Sequence, residues 1–287
     1  MMSLIHLHVY SAYSLLESTL SIKDIVTSAK NNGFSSIALT DRNVMYGAVP
    51  FYKECKAQGI KPIIGLTADI LDDEEKESYP LILLAKTNAG YHNLMKISSA
   101  IQTKSPKGLP FRWLKGYAGG LIAISPGIDG EVEKTLIYRE NEAEKVLQRY
   151  KNLFGSESFY LSLPKPQKDG MKRDAIKQLA EKTDTLLVAA HPISYMKPED
   201  STAYQALTCL KSNIKIEELD HTILENDCKH FASRFEMQEW YSSEIDALEN
   251  TIRIAEQCQV TLEFHQRLLP KFPVPNDFSA HQYLTEI

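Results

Sequence analysis

Apolar and polar positions along this chain switch repeatedly between a period of two and a period near 3.6. Leu4-Ile5-His6-Leu7-His8-Val9-Tyr10-Ser11 alternates like a strand, which predicts His6, His8 and Tyr10 on one face, pointing together into a cleft. Ser21 to Phe34 then takes helical spacing. Ile22, Ile25, Val26 and Ala29 make an apolar stripe, Ser21 can cap it, Asp24 sits in the first turn and Gly33 ends it. Ser36-Ile37-Ala38-Leu39-Thr40-Asp41-Arg42 is an apolar strand that delivers its polar residues at its C-terminal end.

The same switching continues down the chain. Strands are predicted at Pro62 to Thr67, Leu81 to Ala85, Gly120 to Ser125, Phe159 to Leu163 and Leu186 to Ala190, and helices at Gly90 to Gln102, Glu142 to Phe154, Met171 to Thr183, Pro198 to Lys211 and Glu244 to Gln257. Seven strands with interleaved helices predict a parallel α/β protein closing into a barrel, in which ligands collect at the C-terminal strand ends. Beyond Ser212 the alternation fades. The expected organisation is a barrel over 1–212, a helical extension packed on it over 213–269, and a Pro-rich linker with the start of a following region over 270–287. Pro270 to Pro275 should run extended, whereas His281 to Ile287 reads as the beginning of a helix. Asp72 to Glu77 and Ser105 to Pro110 read as loops.

Composition narrows the class. With 43% apolar and 24% charged residues, 287 residues can bury one large core. There is neither an apolar run long enough for a membrane span nor a basic-then-apolar export signal, so a cytoplasmic protein without membrane contact is expected. Cys55, Cys209, Cys228 and Cys258 are scattered without a Cys-x-x-Cys pair and read as free thiols; Cys209 has no His partner nearby in sequence. A net charge of -5 and a pI near 5.9 argue against strong DNA binding by this segment alone, and Lys104, Lys107, Arg112 and Lys115 read as solvated surface. No Gly-x-Ser-x-Gly elbow, Walker loop or Gly-x-Gly-x-x-Gly is present.

A series of strings in fixed order carries more information. His6-Leu7-His8 with Tyr13-Ser14-Leu15-Leu16, Ala38-Leu39-Thr40-Asp41 with Met45-Tyr46-Gly47-Ala48, and Lys61-Pro62-Ile63-Ile64-Gly65 come first. Leu83-Leu84-Ala85-Lys86 with Gly90-Tyr91-His92-Asn93-Leu94, Gly120 to Ser125, Asn250 to Cys258 and Leu268 to Pro275 follow. Together they resemble the PHP (polymerase and histidinol phosphatase) family, and more narrowly the PHP domain at the N-terminus of bacterial DNA polymerase III alpha subunits. The resemblance implies a PHP-type distorted (βα)7 TIM-like barrel with a mainly helical C-terminal extension. It also implies a polymerase region following in the same chain, served by Mg2+, since the acidic motif for nucleotide transfer is not among these residues. Proofreading, sliding-clamp and clamp-loader subunits, and primer-template DNA bound by the full-length chain, are the partners it suggests.

Active PHP domains hold a metal cluster with His, Asp, Glu and Cys side chains. By position, the family's His-x-His falls on His8 and Tyr10, its Asp-His on Asp41 and Arg42, and its Gly-x-Glu on Thr67. A further His falls on Pro80, a Cys on Gly127, and the closing Asp-x-His on Pro192 and Ser194, just before Tyr195. His8 and Asp41 alone keep a ligand type. Arg42 places a permanent positive charge where a ligand belongs, and about 4 Å from a divalent cation that charge repels by several kcal/mol even in a well-screened site. The cleft around His6, His8, Tyr10, Asp41, Arg42, Thr67, His191 and Ser194 is therefore expected to be vestigial, with no catalytic residue and no metal. Arg42 is expected to pair with Asp41 or share its hydrogen-bond network, while Tyr10, Tyr13 and Tyr46 fill the barrel mouth. The chain then reads as a structural and interaction module. The alternative is a metal-dependent phosphoesterase, a 3′–5′ exonuclease or pyrophosphatase using Mn2+ or Zn2+, in which His6, His8, Asp41 and His191 hold one zinc.

Overall fold

Ser21 caps the first long helix as its position predicts: its Oγ accepts the Asp24 N–H at 3.1 Å, and Ile25, Val26 and Ala29 of helix Ile22–Asn31 are buried against the sheet. The computed structural model describes residues 4–72, 74–166, 171–218, 228–264, 273–275 and 279–286. Among them the strands are β1 (His8–Val9), β2 (Ser36–Leu39), β3 (Lys61–Leu71), β4 (Ser78–Ala85), β5 (Leu109–Pro110), β6 (Leu121–Ser125), β7 (Phe159–Ser162), β8 (Leu186–Val188) and β9 (Pro192–Ile193).

The main sheet runs β2-β3-β4-β6-β7-β8, with β5 beside β3, and β1 pairs with β9 in parallel. Backbone bonds from Ala38 N to His6 O (3.0 Å) and from Thr40 N to Val9 O (2.8 Å) bring the N-terminal segment alongside β2. The strands therefore form a curled sheet, giving the barrel-like α/β fold that the alternation predicts. Strict parallelism does not hold. β4 is antiparallel to both β3 and β6, because a short acidic turn after Leu71 joins β3 to β4 where a parallel partner would need a long crossover.

Two apolar layers follow from the pleat. Ile5, Leu7, Ala38, Ile63, Ile82, Leu84, Ile122, Ile124, Tyr160 and Val188 fill the inside of the curl, while neighbours such as Ile37, Leu39, Leu83, Ala123 and Leu161 face the surrounding helices. Gly65 sits where β3 and β4 press together; a Cβ there would lie 2.6 Å from Leu84 Cδ2 and 2.8 Å from the Leu83 carbonyl. Helix Ile245–Gln257 is more than an outer layer, since Ile254, Ala255 and the following Cys258 belong to the interior cluster and close one end of the curl. Residues 273–275 are neither helix nor strand and Ala280–Glu286 is helical, while Pro270 to Phe272 and Asn276 to Phe278 lie outside the described residues. No helix among the described residues is long and apolar enough to cross a membrane.

Candidate functional site

The ends of β1, β2, β6 and β9 converge on a cleft of about 300 Å³. His8, Tyr10, Arg42, Pro80, Gly127, His191, Pro192 and Ser194 all line it, so positions far apart in sequence meet there. Its polar walls are mainly basic: Arg42, Lys134, Lys165 and Lys229 face Glu17 and Asp129. Cys228, Lys229 and Tyr204 also line it, although the sequence reading did not single them out.

His6 does not join this group. Its ring lies between Phe34 (4.7 Å between centroids) and Phe231 (5.0 Å), and its Nε2 donates to the Ala232 carbonyl at 2.8 Å. The expected shared face fails because regular strand geometry is confined to His8–Val9; Leu7 points to the interior and Val9 to the outer layer, but His8 turns along the cleft wall. His8 Nε2 and the Tyr10 hydroxyl form a buried hydrogen-bonded pair of 2.8 Å. Burial, with the charges of Lys229 and Arg42, pushes the His8 pKa down to about 3. Burial likewise lowers His6 to about 4 and lowers His191, whose Nε2 donates to the His230 carbonyl at 3.1 Å. All three rings are neutral near pH 7.

Asp41 is buried beneath the cleft in a network of hydroxyl and amide donors. Oδ1 accepts the Ser11 N–H (2.7 Å) and the Ser14 hydroxyl (2.7 Å), and Ser11 Oγ bonds both oxygens at 3.0 and 2.8 Å. Burial raises its pKa against these bonds. The expected Asp41–Arg42 ion pair is not made. The Arg42 backbone N–H donates to Ser14 Oγ at 3.0 Å, so the two residues share a network through Ser14. The guanidinium instead turns to Asp69, with bonds of 2.9 and 3.2 Å, and lies 3.6 Å from Glu17. The alternation of β3 explains this choice: Asp69 lies two residues beyond Thr67, whose own partner is Arg42 in an isolated bridge, so its carboxylate projects from the same face beside the arginine. Thr67 Oγ1 donates to the Thr40 carbonyl at 2.9 Å.

Tyr10 is buried and lines the cleft, but Tyr13 and Tyr46 stand out into solvent, 45% and 63% exposed. The loops after β1 and β2 carry them past the rim.

The donor set does not fit a metal cluster. No group of three or more His, Cys, Asp or Glu side chains among the described residues could hold an ion. His6, His8, Asp41 and His191, the set required for a single zinc, are each committed to separate partners, and His6 faces another layer. What the arrangement offers is a basic cleft with a neutral imidazole–phenol pair on one wall and a cysteine on another.

A family model for the PHP domain matches residues 6–165. DNA polymerase III subunit alpha of Bacillus subtilis (strain 168) is 43% identical over 290 residues, covering 100% of this chain and 26% of that protein. The corresponding subunit of Halalkalibacterium halodurans is 38% identical over 292 residues, covering 100% of this chain and 25% of that protein. The chain thus spans about a quarter of the length of these relatives. Among solved structures, an amidohydrolase from Chromobacterium violaceum with bound sulfate and no metal superposes with a TM-score of 0.50 at 11% identity, over 67% of this chain and 88% of that one, a likeness of fold.

Proposed function

The chain belongs to the PHP domain family, and from that premise we propose that it serves as the N-terminal structural and interaction module of a replicative-type DNA polymerase chain, its metal centre replaced by protein-internal bonds. The observation that carries this reading is the bonding of Asp41 to Ser11 and Ser14 beside an arginine held by Asp69. A hydrolytic centre needs anionic and imidazole donors free to hold cations and ionise a water. Here the retained carboxylate is bonded internally, and the neighbouring ligand position is cationic.

On this reading the barrel over 1–212, the extension over 213–269 and the linker over 270–287 support a polymerase region in the same chain, and the domain neither polymerises nor degrades DNA. Mg2+ belongs to that region. Proofreading, clamp and clamp-loader subunits are the partners we propose, with primer-template DNA engaged by the longer chain in the cytoplasm. Alterations should then separate by what they disturb. In the full-length protein, Ile64→Asp places a charge in a buried strand and should lower yield and polymerase activity together. His8→Ala with Asp41→Asn should leave the polymerase activity of the folded enzyme unchanged. Manganese-dependent 3′ nuclease activity that the double change abolishes would favour the phosphoesterase instead.

A further inference from the structure

Cys228, His230 and Glu236 form a hydrogen-bonded row at the edge of the cleft. His230 Nδ1 lies 2.6 Å from Cys228 Sγ, and His230 Nε2 lies 2.8 Å from Glu236 Oε1. Glu236 is itself fixed. Its second oxygen accepts the Ser233 N–H (2.8 Å) and hydroxyl (2.7 Å), the capping box of helix Arg234–Trp240. The imidazole is held edge-on to Trp240, 5.9 Å between centroids, and the His230 backbone pairs with Tyr195 in an isolated bridge. A carboxylate orienting an imidazole that contacts a thiol is the arrangement that converts cysteine into a thiolate nucleophile.

The sulfur is also reachable. Cys228 is half-buried and lines the cleft, whereas Cys55, Cys209 and Cys258 are buried. Charged and titratable groups around it come from several segments: Lys165 after β7, His191 ahead of β9, Lys229 beside it, Glu236 on its helix, and His6 on the far side of His230. Burial opposes ionisation of the thiol, but the bond and charge of His230, with Lys165, outweigh it and lower its pKa. The bonds to Cys228 and Glu236 raise that of His230 against its own burial. Both shifts favour transfer of the thiol proton to the imidazole along the 2.6 Å contact.

We propose that Cys228 is a site of reversible oxidation by small hydroperoxides entering the cleft. The thiolate attacks one peroxide oxygen, an S–O bond forms and the O–O bond breaks. The hydroxide, or the alkoxide of an organic hydroperoxide, that departs takes the proton of the His230 imidazolium and leaves as water or alcohol. Sulfur is oxidised by two electrons to the sulfenic acid, peroxide is reduced, and excess thiol reductant restores the cysteine.

Exposing the intact protein to limiting hydrogen peroxide at pH 7, trapping sulfenic acid with dimedone and mapping the peptides tests this directly. Label should fall on Cys228 ahead of the three buried cysteines, at a rate roughly 10-fold above that of free glutathione, in line with the larger thiolate fraction. Cys228→Ser should abolish it, and His230→Asn should return the rate to that of an ordinary thiol. Glu236→Gln, which can still accept from Ser233, provides a variant that preserves the helix cap and should give an intermediate rate. Iodoacetamide alkylation of the unaltered protein against pH needs no variant, and its inflection should lie below that of glutathione. A rate equal to glutathione's, label spread evenly over four cysteines, or an inflection at the ordinary thiol value would overturn the proposal.

Discussion

Arg42 closes on Asp69 with two parallel bonds, 2.9 and 3.2 Å, although Asp41 is its neighbour in sequence. A planar guanidinium and a carboxylate two residues beyond Thr67 on β3 satisfy each other where a metal and its ligands are expected in active relatives. The pair is partly open to solvent, 32% and 14% exposed in its side chains, which limits its strength. Arg42→Ala should therefore destabilise by about 1–2 kcal/mol, less than for a fully buried pair. A double-mutant cycle with Asp69→Asn, followed by chemical denaturation, should show positive coupling. Coupling near zero would mean that the two side chains act independently.

The buried histidines set the acid limit of stability. His6 and His8 have folded pKa values depressed to about 4 and about 3, so below the ordinary value of 6.5 the unfolded chain binds protons that the folded chain refuses. Their contribution is present above 6.5 and is lost as pH falls toward those values, by about 1.4 kcal/mol per pH unit for each ring. His8→Gln should flatten the fall in melting temperature between pH 6.5 and pH 4 relative to the unaltered protein. An unchanged slope would show that His8 protonates without resistance.

Glu133 works in the opposite direction. Burial raises its pKa to about 8, the Ser125 hydroxyl donates to one carboxyl oxygen, and the other is buried without a partner. The folded state holds a proton that the unfolded chain releases above 4.5, so stability falls as pH rises from 4.5 through about 8. Glu133→Gln should match the parent near pH 5 and melt higher at pH 8, by a few kcal/mol in unfolding free energy. Equal differences at the two pH values would exclude an ionising Glu133.

Ile254 tests the closure of the barrel. It is fully buried in the interior cluster on helix Ile245–Gln257, so Ile254→Ala should cost about 2–4 kcal/mol in denaturant unfolding. A loss below about 1 kcal/mol would mean that the helix packs outside the curl.

Much of this was legible in the sequence because periodicity reports burial directly. Ile22, Ile25, Val26 and Ala29 mark their helix, and the apolar runs around Ile37, Ile63, Leu83 and Ile122 mark strands covered on both faces. The antiparallel turn of β4 was not legible, since a strand buried on both faces has no alternation from which to read direction. The orientation of His6 was missed because alternation was extended across a segment that is regular only at His8–Val9. Asp69 was overlooked because β3 runs to Leu71, past the expected end at Thr67. Cys228 and His230 did carry a signal: two residues apart in an extended segment they share a side, and Ser233 with Glu236 is a capping-box spacing.

The metal content of the cleft separates a replaced metal centre from a working one most directly. Elemental analysis of this chain after exhaustive dialysis in buffer supplied beforehand with zinc and manganese should find neither metal at a stoichiometric level, because Asp41 is bonded to Ser11 and Ser14 and Arg42 occupies a ligand position. One or more zinc or manganese ions per chain, lost on His8→Ala with Asp41→Asn, would contradict it.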